Sequence, residues 1–540
     1  MGGSVIDITV IVVYLVGIML IGLLAVRHKT IDSDEYFLAG RALKWPVVGS
    51  ALFAANISTI HMVGLAEGGY KSGLVIGNFE WMATPTLILL ALVFVPFYFR
   101  SQITTLPEYL EKRYSRFART IMAVMAIAAA LLIHIGISLY AGAAVFQEFF
   151  GLNVMASIVM ISVVTAIYTV VGGLTAVVVT ETIQTVILLG GAVLVTVLAI
   201  LALPEAGVHS LAEFREATRP DQLSMLHVSN QDGYAWYAFL LGYPVLGVWY
   251  WCTDQTIVQR ALGAKDQLNA QNGALFAGLL KISTVFCMVL PGVCGYVLFK
   301  DRIGEHANQT LPVMINALVP VGLKGLVAAA LLAALMSSVS AALNSVGTLM
   351  AIDIVKHFRP ATTDRQQIAI GRVTAVVVML LAMAWSTQGD KFGSIFEAIN
   401  KMPAQFLAPP TTVVFLWGVF WRRGTKEAAI VTLILGFVLG FVVFLVDLPV
   451  FGDTQWISDP QRGLGIPFMM QAVWGFVIWS AVFVTVSYTT PPPSEQQVAA
   501  TTWTRPLAVL LDGQFAGWSD PRLLSGLLLA TLAVLYSIFH

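Results

Sequence analysis

Fourteen apolar runs, each of about 15 to 30 residues, are distributed over the whole chain. An α-helix needs about 20 apolar residues to cross a bilayer, and it satisfies its own backbone hydrogen bonds in lipid. Fourteen crossings would use roughly 280 residues. The pattern predicts an all-α polytopic membrane protein. The runs lie at 6–26, 46–66, 78–99, 120–148, 152–171, 174–203, 234–252, 272–298, 325–351, 373–387, 394–420, 428–446, 466–488 and 523–538.

Composition excludes several other classes of protein. Charged residues make up 11% of the chain, too few to cover a water-facing surface, since soluble domains carry about 25%. The net charge is zero, so a nucleic-acid partner is not expected. Cys252, Cys287 and Cys294 lie in or beside apolar runs, which argues against a disulfide framework or a CxxC metal site. No His-Glu-x-x-His motif or cysteine cluster suggests an enzyme or an organic cofactor.

The basic residues predict the topology. With the N-terminus outside, the inside loops hold 20 Lys and Arg and the outside loops hold 7. Because basic residues accumulate in cytoplasmic loops, this ratio places both termini outside. The first run carries Asp7 and ends at Arg27 without a small-residue cleavage site, so it is interpreted as a retained span rather than a signal peptide.

Two spans are interrupted by polar and small residues. The second contains 54–61, with Asn56, Ser58 and His61, and the seventh contains Gly242-Tyr243-Pro244 and then 249–252. Backbone can unwind at membrane depth only where it is buried in protein or lines a cavity. Two interrupted helices five spans apart are typical of an inverted 5+5 repeat around a central site. Small and polar residues also serve plain helix packing, which remains the alternative for each interruption alone.

Ionisable residues within spans are costly and usually functional. Alternatives remain open for several of them: Glu80 as an interfacial carboxylate, Lys281 as a side chain that snorkels to the surface, and His134 as a packing histidine. Ser337 and Ser338 could supply hydroxyl ligands to a hard cation or only join helices. The ionisable residues are His61, Glu80, His134, Glu181, Lys281, Glu397 and Lys401.

The chain resembles the sodium/solute symporter family, and most closely its sodium/glucose cotransporter branch. The resemblance runs from residue 50 to about 425, in family order and spacing. It is carried by Phe53-Ala54-Ala55-Asn56-Ile57-Ser58 with His61, Phe79-Glu80-Trp81, 106–114, Gly172-Gly173-Leu174-Thr175-Ala176-Val177, Trp249-Tyr250-Trp251-Cys252-Thr253-Asp254-Gln255, Ser337-Ser338 and Leu407-Ala408-Pro409-Pro410.

The resemblance implies a LeuT-type fold with one helix before the ten-helix core and three after it, fourteen in all. The predicted units are 1–45 (the extra N-terminal helix and an inside loop), 46–203 (core helices 1–5), 204–233 (an outside loop), 234–420 (core helices 6–10) and 421–540 (three C-terminal helices with an inside linker at 489–522).

The resemblance also implies a sodium site. Its five family positions are compatible with the residues here, which are Ala54, Ile57, Ala334, Ser337 and Ser338. A candidate second sodium site falls on Glu181 and Ser340. The family usually has Asp where Glu181 stands, so the stoichiometry stays open.

The sugar-contacting positions of the family fall on Asn56, His61, Glu80, Tyr250, Trp251 and Lys281, with Phe79 as an outer gate and Tyr250 as an inner gate. A polyol needs hydrogen-bonding groups of both kinds and an aromatic face, and these residues provide them. A glutamine of core helix 10 aligns here with Asn400 or with Lys401. If it is Lys401, an anionic sugar becomes plausible.

The sequence therefore predicts a plasma-membrane symporter that couples sodium to the import of a neutral hexose or related polyol. A sugar acid, a monocarboxylate or an amino acid is the alternative solute. A proton-coupled carrier and a transporter-like sensor are the competing classes. Sodium dependence of uptake would distinguish a sodium symporter from a proton-coupled carrier. A sensor usually carries a cytoplasmic signalling domain, and only about 34 inside residues follow the thirteenth span.

Overall fold

The fold is all-helical. The computed structural model describes residues 4–27, 31–151, 153–228, 233–388, 401–448, 455–503 and 516–540. Within these ranges, 10 helices are long and apolar enough to cross a membrane, or up to 11 if one bent pair, Trp45–Asn56 with Thr59–Ser72, is a single span. The ten are Val5–Leu24, Leu74–Arg100, Arg116–Gln147, Val154–Ala206, Gln267–Ile303, Leu323–Lys356, Asp364–Ser386, Lys426–Val446, Phe468–Thr489 and Pro521–Ile538.

The predicted spans 152–171 and 174–203 form one continuous run of helix, Val154–Ala202, with 49 residues. At about 1.5 Å per residue, this run would greatly exceed the roughly 30 Å hydrocarbon core if it were straight. It is interrupted at Gly173, which has φ 58° and ψ −150°. A side chain there would also be strained, because its Cβ would lie 2.4 Å from the carbonyl oxygen of Tyr36.

Two further predicted spans give shorter helices. The span predicted at 234–252 is the helix Trp236–Gly247, which runs into a π-helical turn, Val248–Cys252. The span predicted at 394–420 begins outside the described residues and ends with the helix Ala408–Phe420. Length and hydropathy therefore give ten or eleven spans rather than fourteen in the described part of the chain.

The helix Leu323–Thr348, here called the serine helix, lies at the centre of the molecule. In the most apolar stretch of its span, 94% of the residues are buried, against 28% in the corresponding stretch of Val5–Leu24. It packs against Val154–Ala202, Val5–Leu24 and Trp45–Asn56. The serine helix begins against Asp7 of the N-terminal helix, whose Oδ1 accepts hydrogen bonds from the backbone N–H of Gly322 at 2.9 Å and of Gly325 at 2.7 Å. This buried carboxylate replaces the partners that a helix N-terminus lacks.

Candidate functional site

The break between Trp45–Asn56 and Thr59–Ser72 bends the chain by 66°. In a regular helix, Ser58 N–H would donate to the Ala54 carbonyl; here it donates to His61 Nδ1 at 3.2 Å. His61 N–H donates to Ser58 at 3.0 Å rather than to the Ile57 carbonyl. The break therefore frees the Ala54 and Ile57 carbonyl oxygens from the helical pattern, because their usual donors are used elsewhere.

Both freed carbonyls face the serine helix. Ser337 Oγ donates to the Ala54 carbonyl at 2.8 Å, and Ser338 Oγ lies 3.2 Å from the Ile57 carbonyl. The same hydroxyls lie 2.9 Å and 3.3 Å from the Ala334 carbonyl one turn earlier. The structure thus brings together all five residues of the predicted sodium site.

Three carbonyl and two hydroxyl oxygens converge here, and this donor set fits a hard cation, which prefers oxygen ligands and no sulfur. Ser337 is fully buried and Ser338 nearly so. Within the part of the chain that the structure describes, no group of three or more His, Cys, Asp or Glu side chains could hold a metal ion. A set of uncharged oxygens such as the one at the break suits a monovalent ion such as sodium.

Beside this cluster lies a cavity of about 150 Å³. Cavities of about this volume accommodate one six-membered ring. Its wall contains Ser58 and Ser338, so the cavity adjoins the oxygen cluster. The predicted residues that line it are Asn56, His61, Phe79, Glu80, Tyr250, Trp251 and Lys281.

A buried ion pair forms one wall of the cavity. Lys281 Nζ contacts Glu80 Oε2, and their side chains are 1% and 3% exposed. Lys281 Nζ also donates to Asn56 Oδ1 at 2.5 Å, and Thr284 Oγ1 donates to Glu80 Oε2 at 2.8 Å. Neither the interfacial position considered for Glu80 nor the snorkelling considered for Lys281 occurs, because each side chain meets its partner inside the protein. The ammonium and carboxylate compensate each other's charge, which leaves a polar but neutral wall.

Aromatic rings form the facing wall. The Lys281 ammonium lies 5.7 Å from the Trp251 ring centroid, and Tyr250 and Trp251 meet edge to face at 5.2 Å. Trp251 Nε1 donates to the hydroxyl of Tyr243 at 3.5 Å. The interrupted helix therefore places an aromatic surface next to the charged pair in the cavity wall, a combination of apolar and polar groups that is typical of small-molecule sites.

A model of the sodium:solute symporter family matches residues 36–436, which include the oxygen cluster and most of the cavity. The chain belongs to the sodium:solute symporter family. The predicted family and sodium-coupled symport are thereby confirmed. With ten or eleven apolar helices in the described part of its chain, this symporter is a multi-pass membrane protein.

Curated relatives support the assignment. The symporter is 33% identical to the pig (Sus scrofa) sodium/myo-inositol cotransporter 2, over 92% of this chain and 78% of that protein. It is 34% identical to the human (Homo sapiens) sodium/glucose cotransporter 4, again over 92% and 78%.

A solved structure supports the fold. A Na⁺-coupled sialic acid symporter in a substrate-bound outward-open state superposes with a TM-score of 0.76 at 21% identity, covering 91% of this chain and 99% of the other. At this identity the likeness shows that the two proteins share a fold.

His134 of the symporter lines the cavity and has a carboxylate as its hydrogen-bond partner. Its Nε2 lies 3.1 Å from Asp254 Oδ2, and Asp254 Oδ1 accepts the Thr256 N–H that opens the next helix at 2.7 Å. Both partners lie at irregular helix geometry, His134 in the π-helical stretch Ala130–Ile137 and Asp254 just after Val248–Cys252. The sequence signal was the polar residue within an apolar run, but its partner is 120 positions away.

Glu181 and Ser340, the residues predicted for a second sodium, already have hydrogen-bond partners within the protein. Glu181 Oε1 accepts from Arg260 Nη2 at 2.6 Å and Glu181 Oε2 from Arg260 Nε at 3.3 Å. Both side chains are fully buried. Ser340 Oγ donates to the Ser337 carbonyl at 3.0 Å. A guanidinium thus occupies both oxygens of the carboxylate, in the paired geometry that arginine and carboxylate favour.

Lys401 points away from the cavity. Its ammonium lies 3.2 Å from Ser458 Oγ and 4.0 Å from Asp447 Oδ2. Pro403, two residues further along the chain, lines the cavity, whereas Lys401 is not among the described residues that line it. Asn400, the other candidate, and Glu397 lie outside the described residues.

Proposed function

We propose that this symporter imports a small neutral polyol, myo-inositol or a hexose, together with one sodium ion per cycle. The observation that carries the solute class is the pairing of Lys281 with Glu80. Because the only lysine in the described cavity wall is already neutralised, a carboxylate solute would find no free ammonium there. Paired charges instead offer a donor and an acceptor to hydroxyl groups, and Trp251 offers a ring face.

The names of the two mammalian relatives point the same way, one to myo-inositol and the other to glucose. Both solutes are six-membered rings rich in hydroxyl groups, which suits a cavity of about 150 Å³. We propose Asn56, His61, Glu80, Tyr250, Trp251 and Lys281 as the solute contacts. A site built to bond hydroxyl groups rejects analogues that lack them, because its own buried polar groups would remain unpaired.

We propose that sodium binds the carbonyls of Ala54, Ile57 and Ala334 and the hydroxyls of Ser337 and Ser338. Coupling then follows from chain connectivity, since Asn56 lies between Ala54 and Ile57 in the same break. An ion that fixes the break to the serine helix also fixes the Asn56 side chain in the cavity. Sodium should therefore raise solute affinity, and solute should raise sodium affinity by the same factor.

The stoichiometry of one sodium rests on Arg260. Its guanidinium compensates the Glu181 charge that a second sodium would require. A second ion would have to displace a fully buried arginine, which is costly. One sodium moving down a potential of 100 mV supplies about 2.3 kcal/mol, and a tenfold gradient adds about 1.4 kcal/mol. Together these permit several-hundredfold accumulation.

For the fold we propose the LeuT-type inverted repeat within fourteen spans, with Gly173 dividing Val154–Ala202 into two of them. We also propose a plasma-membrane location with both termini outside, and transport without covalent chemistry or an organic cofactor. The orientation is tested by adding a cysteine at each terminus of the protein and treating intact cells with a membrane-impermeant thiol reagent. A terminus that is not labelled would contradict the proposed orientation.

Uptake into proteoliposomes tests the function. Tritiated myo-inositol and tritiated D-glucose are offered with an inward sodium gradient, with choline in place of sodium, and with a pH gradient alone. We expect sodium-dependent uptake of at least one of the two. Uptake that persists in choline, or that follows pH alone, would contradict sodium coupling. Transport of a monocarboxylate or an amino acid in place of either compound would contradict the solute class.

A further inference from the structure

Phe79, the predicted outer gate, and three aromatic rings that contact it form a cluster of four rings, here called the aromatic lid. Phe79 packs edge to face on Phe239 at 5.1 Å and on Tyr234 at 6.3 Å. On another side it lies parallel to Phe468, at 6.1 Å and an interplanar angle of 4°. Phe79 itself lines the solute cavity. These three neighbours do not line the cavity, and their contacts help to fix the position of the Phe79 ring.

Phe468 comes from an unexpected part of the chain. It is the first residue of the helix Phe468–Thr489, whereas the family model ends at residue 436. The other rings belong to the segments that carry the cavity, Asn78–Trp81 and the start of Trp236–Gly247. A C-terminal helix thus reaches back to the residue that covers the solute.

A buried polar network, here called the Asp447 brace, fixes the start of this helix. Asp447 Oδ1 accepts from the N–H groups of Ile457 and Ser458 at 3.0 and 2.9 Å. Asp447 Oδ2 accepts from Gln405 Nε2 at 3.0 Å. Gln405 Nε2 also donates to Gln471 Oε1 at 2.7 Å, which joins the brace to the helix one turn after Phe468.

The brace connects the lid to the cavity wall by a second route. Gln405 is two residues after Pro403, which lines the cavity, and Asp447, Gln405 and Gln471 are 2%, 6% and 8% exposed. Gln405 Nε2 bonds both Asp447 and Gln471 and so joins the three side chains directly, although the buried Oε1 of Gln405 has no hydrogen-bond partner among the described residues. The brace therefore holds Phe468 in register with the cavity segment Pro403–Leu407 instead of leaving it free on a lipid-facing helix.

From this geometry we propose that Phe468 is a positioning residue of the solute gate. It holds Phe79 over a bound polyol, and the Asp447 brace holds Phe468 in place. The C-terminal helices then set how long the solute stays bound. This proposal rests on the proposed function, because it needs a solute that Phe79 covers.

The test is a double-mutant cycle in the purified full-length protein. Phe79→Leu, Phe468→Leu and the double variant are compared for the affinity and dissociation rate of tritiated myo-inositol and D-glucose in saturating sodium. Phe476→Leu is the matched control, because Phe476 is a half-buried phenylalanine two turns further along the same helix. Sodium affinity without solute reports whether each variant is folded.

We expect Phe468→Leu to speed solute dissociation about two- to tenfold, as the loss of one aromatic pair implies. The effect should disappear when Phe79 is already leucine, and sodium affinity should not change. Additive effects of the two substitutions, or an equal effect of Phe476→Leu, would overturn the gate while the symporter assignment stands. If the wild-type protein binds neither compound, the proposed solute class fails and the gate with it.

Discussion

The hydroxyl of Ser337 donates a 2.8 Å hydrogen bond to the carbonyl oxygen of Ala54, although 283 positions separate the two residues. The Ala54 carbonyl is available because the helix Trp45–Asn56 ends two residues later and the Ser58 N–H donates to His61 instead. The ion-binding oxygens that we propose therefore exist because two helices from opposite halves of the chain meet at a break. The following predictions test what each part contributes.

Replacing either serine should weaken sodium binding. Ser337→Ala and Ser338→Ala each remove one of five oxygens and change the packing volume little. We expect the sodium half-saturation, measured by thermal shift without solute, to rise at least tenfold, which equals about 1.4 kcal/mol. Ser345→Ala, a buried serine on the same helix, is the control and should have no effect. Unchanged sodium affinity in both Ser337→Ala and Ser338→Ala would show that these hydroxyls only pack.

Glu80→Gln should separate solute binding from sodium binding. It keeps the shape of the side chain but removes one charge-assisted hydrogen bond, worth about 1.5–3 kcal/mol. We expect solute affinity to fall ten- to hundredfold, while sodium binding in the absence of solute is retained.

The double variant Glu80→Gln/Lys281→Met distinguishes recognition from folding. The single variant leaves the Lys281 ammonium buried without its partner, which should lower thermal stability. Removing both charges should restore the melting temperature but not the solute affinity. Recovery of solute binding in the double variant would mean that the pair serves stability only.

Lys401→Gln should leave the affinity for a neutral polyol within about twofold of the wild-type value, because Lys401 contacts Ser458 and approaches Asp447 rather than the cavity. We expect some loss of thermal stability, because the side chains of Lys401 and Asp447 are only 13% and 1% exposed and the substitution leaves the buried carboxylate without a nearby cation among the described residues. The measurement is the KM for myo-inositol and glucose beside competition by glucuronate. A switch of preference away from glucuronate would instead place Lys401 at the solute.

Sodium dependence should be hyperbolic. With Glu181 bound to Arg260, we expect a Hill coefficient near one and one charge moved per solute, measured as the ratio of current to tritiated solute flux. Ser340→Ala should not change that ratio, because its hydroxyl donates to the Ser337 carbonyl. A ratio of two charges, reduced to one by Ser340→Ala, would restore the second sodium site.

The sequence by itself determined that the chain is a helical membrane protein and where its second predicted span breaks, whereas ten or eleven of the fourteen predicted spans appear as apolar helices of sufficient length among the described residues. Apolar runs of bilayer length have no other stable arrangement than helices in lipid, and the polar residues at 54–61 predicted the bend that the structure places between Asn56 and Thr59. The sequence also predicted separate spans at 152–171 and 174–203, and the interruption of helical geometry at Gly173 lies between them. The residues of the five oxygens and seven of the residues that line the cavity followed from the resemblance to the family.

Tertiary structure decided which partner each buried charge meets. Glu80 and Lys281, Glu181 and Arg260, and His134 and Asp254 are 201, 79 and 120 positions apart. The hydrophobic periodicity of a helix predicts which of its faces carries a given residue, but it does not predict which other helix packs against that face. Lys401 shows the consequence, because a lysine at the edge of an apolar run has the same sequence pattern whether it faces a solute or Asp447. Phe468 lacked any such signal, since a phenylalanine at the start of a membrane helix ordinarily contacts lipid, and only the packing of the C-terminal helix against Phe79 distinguishes it.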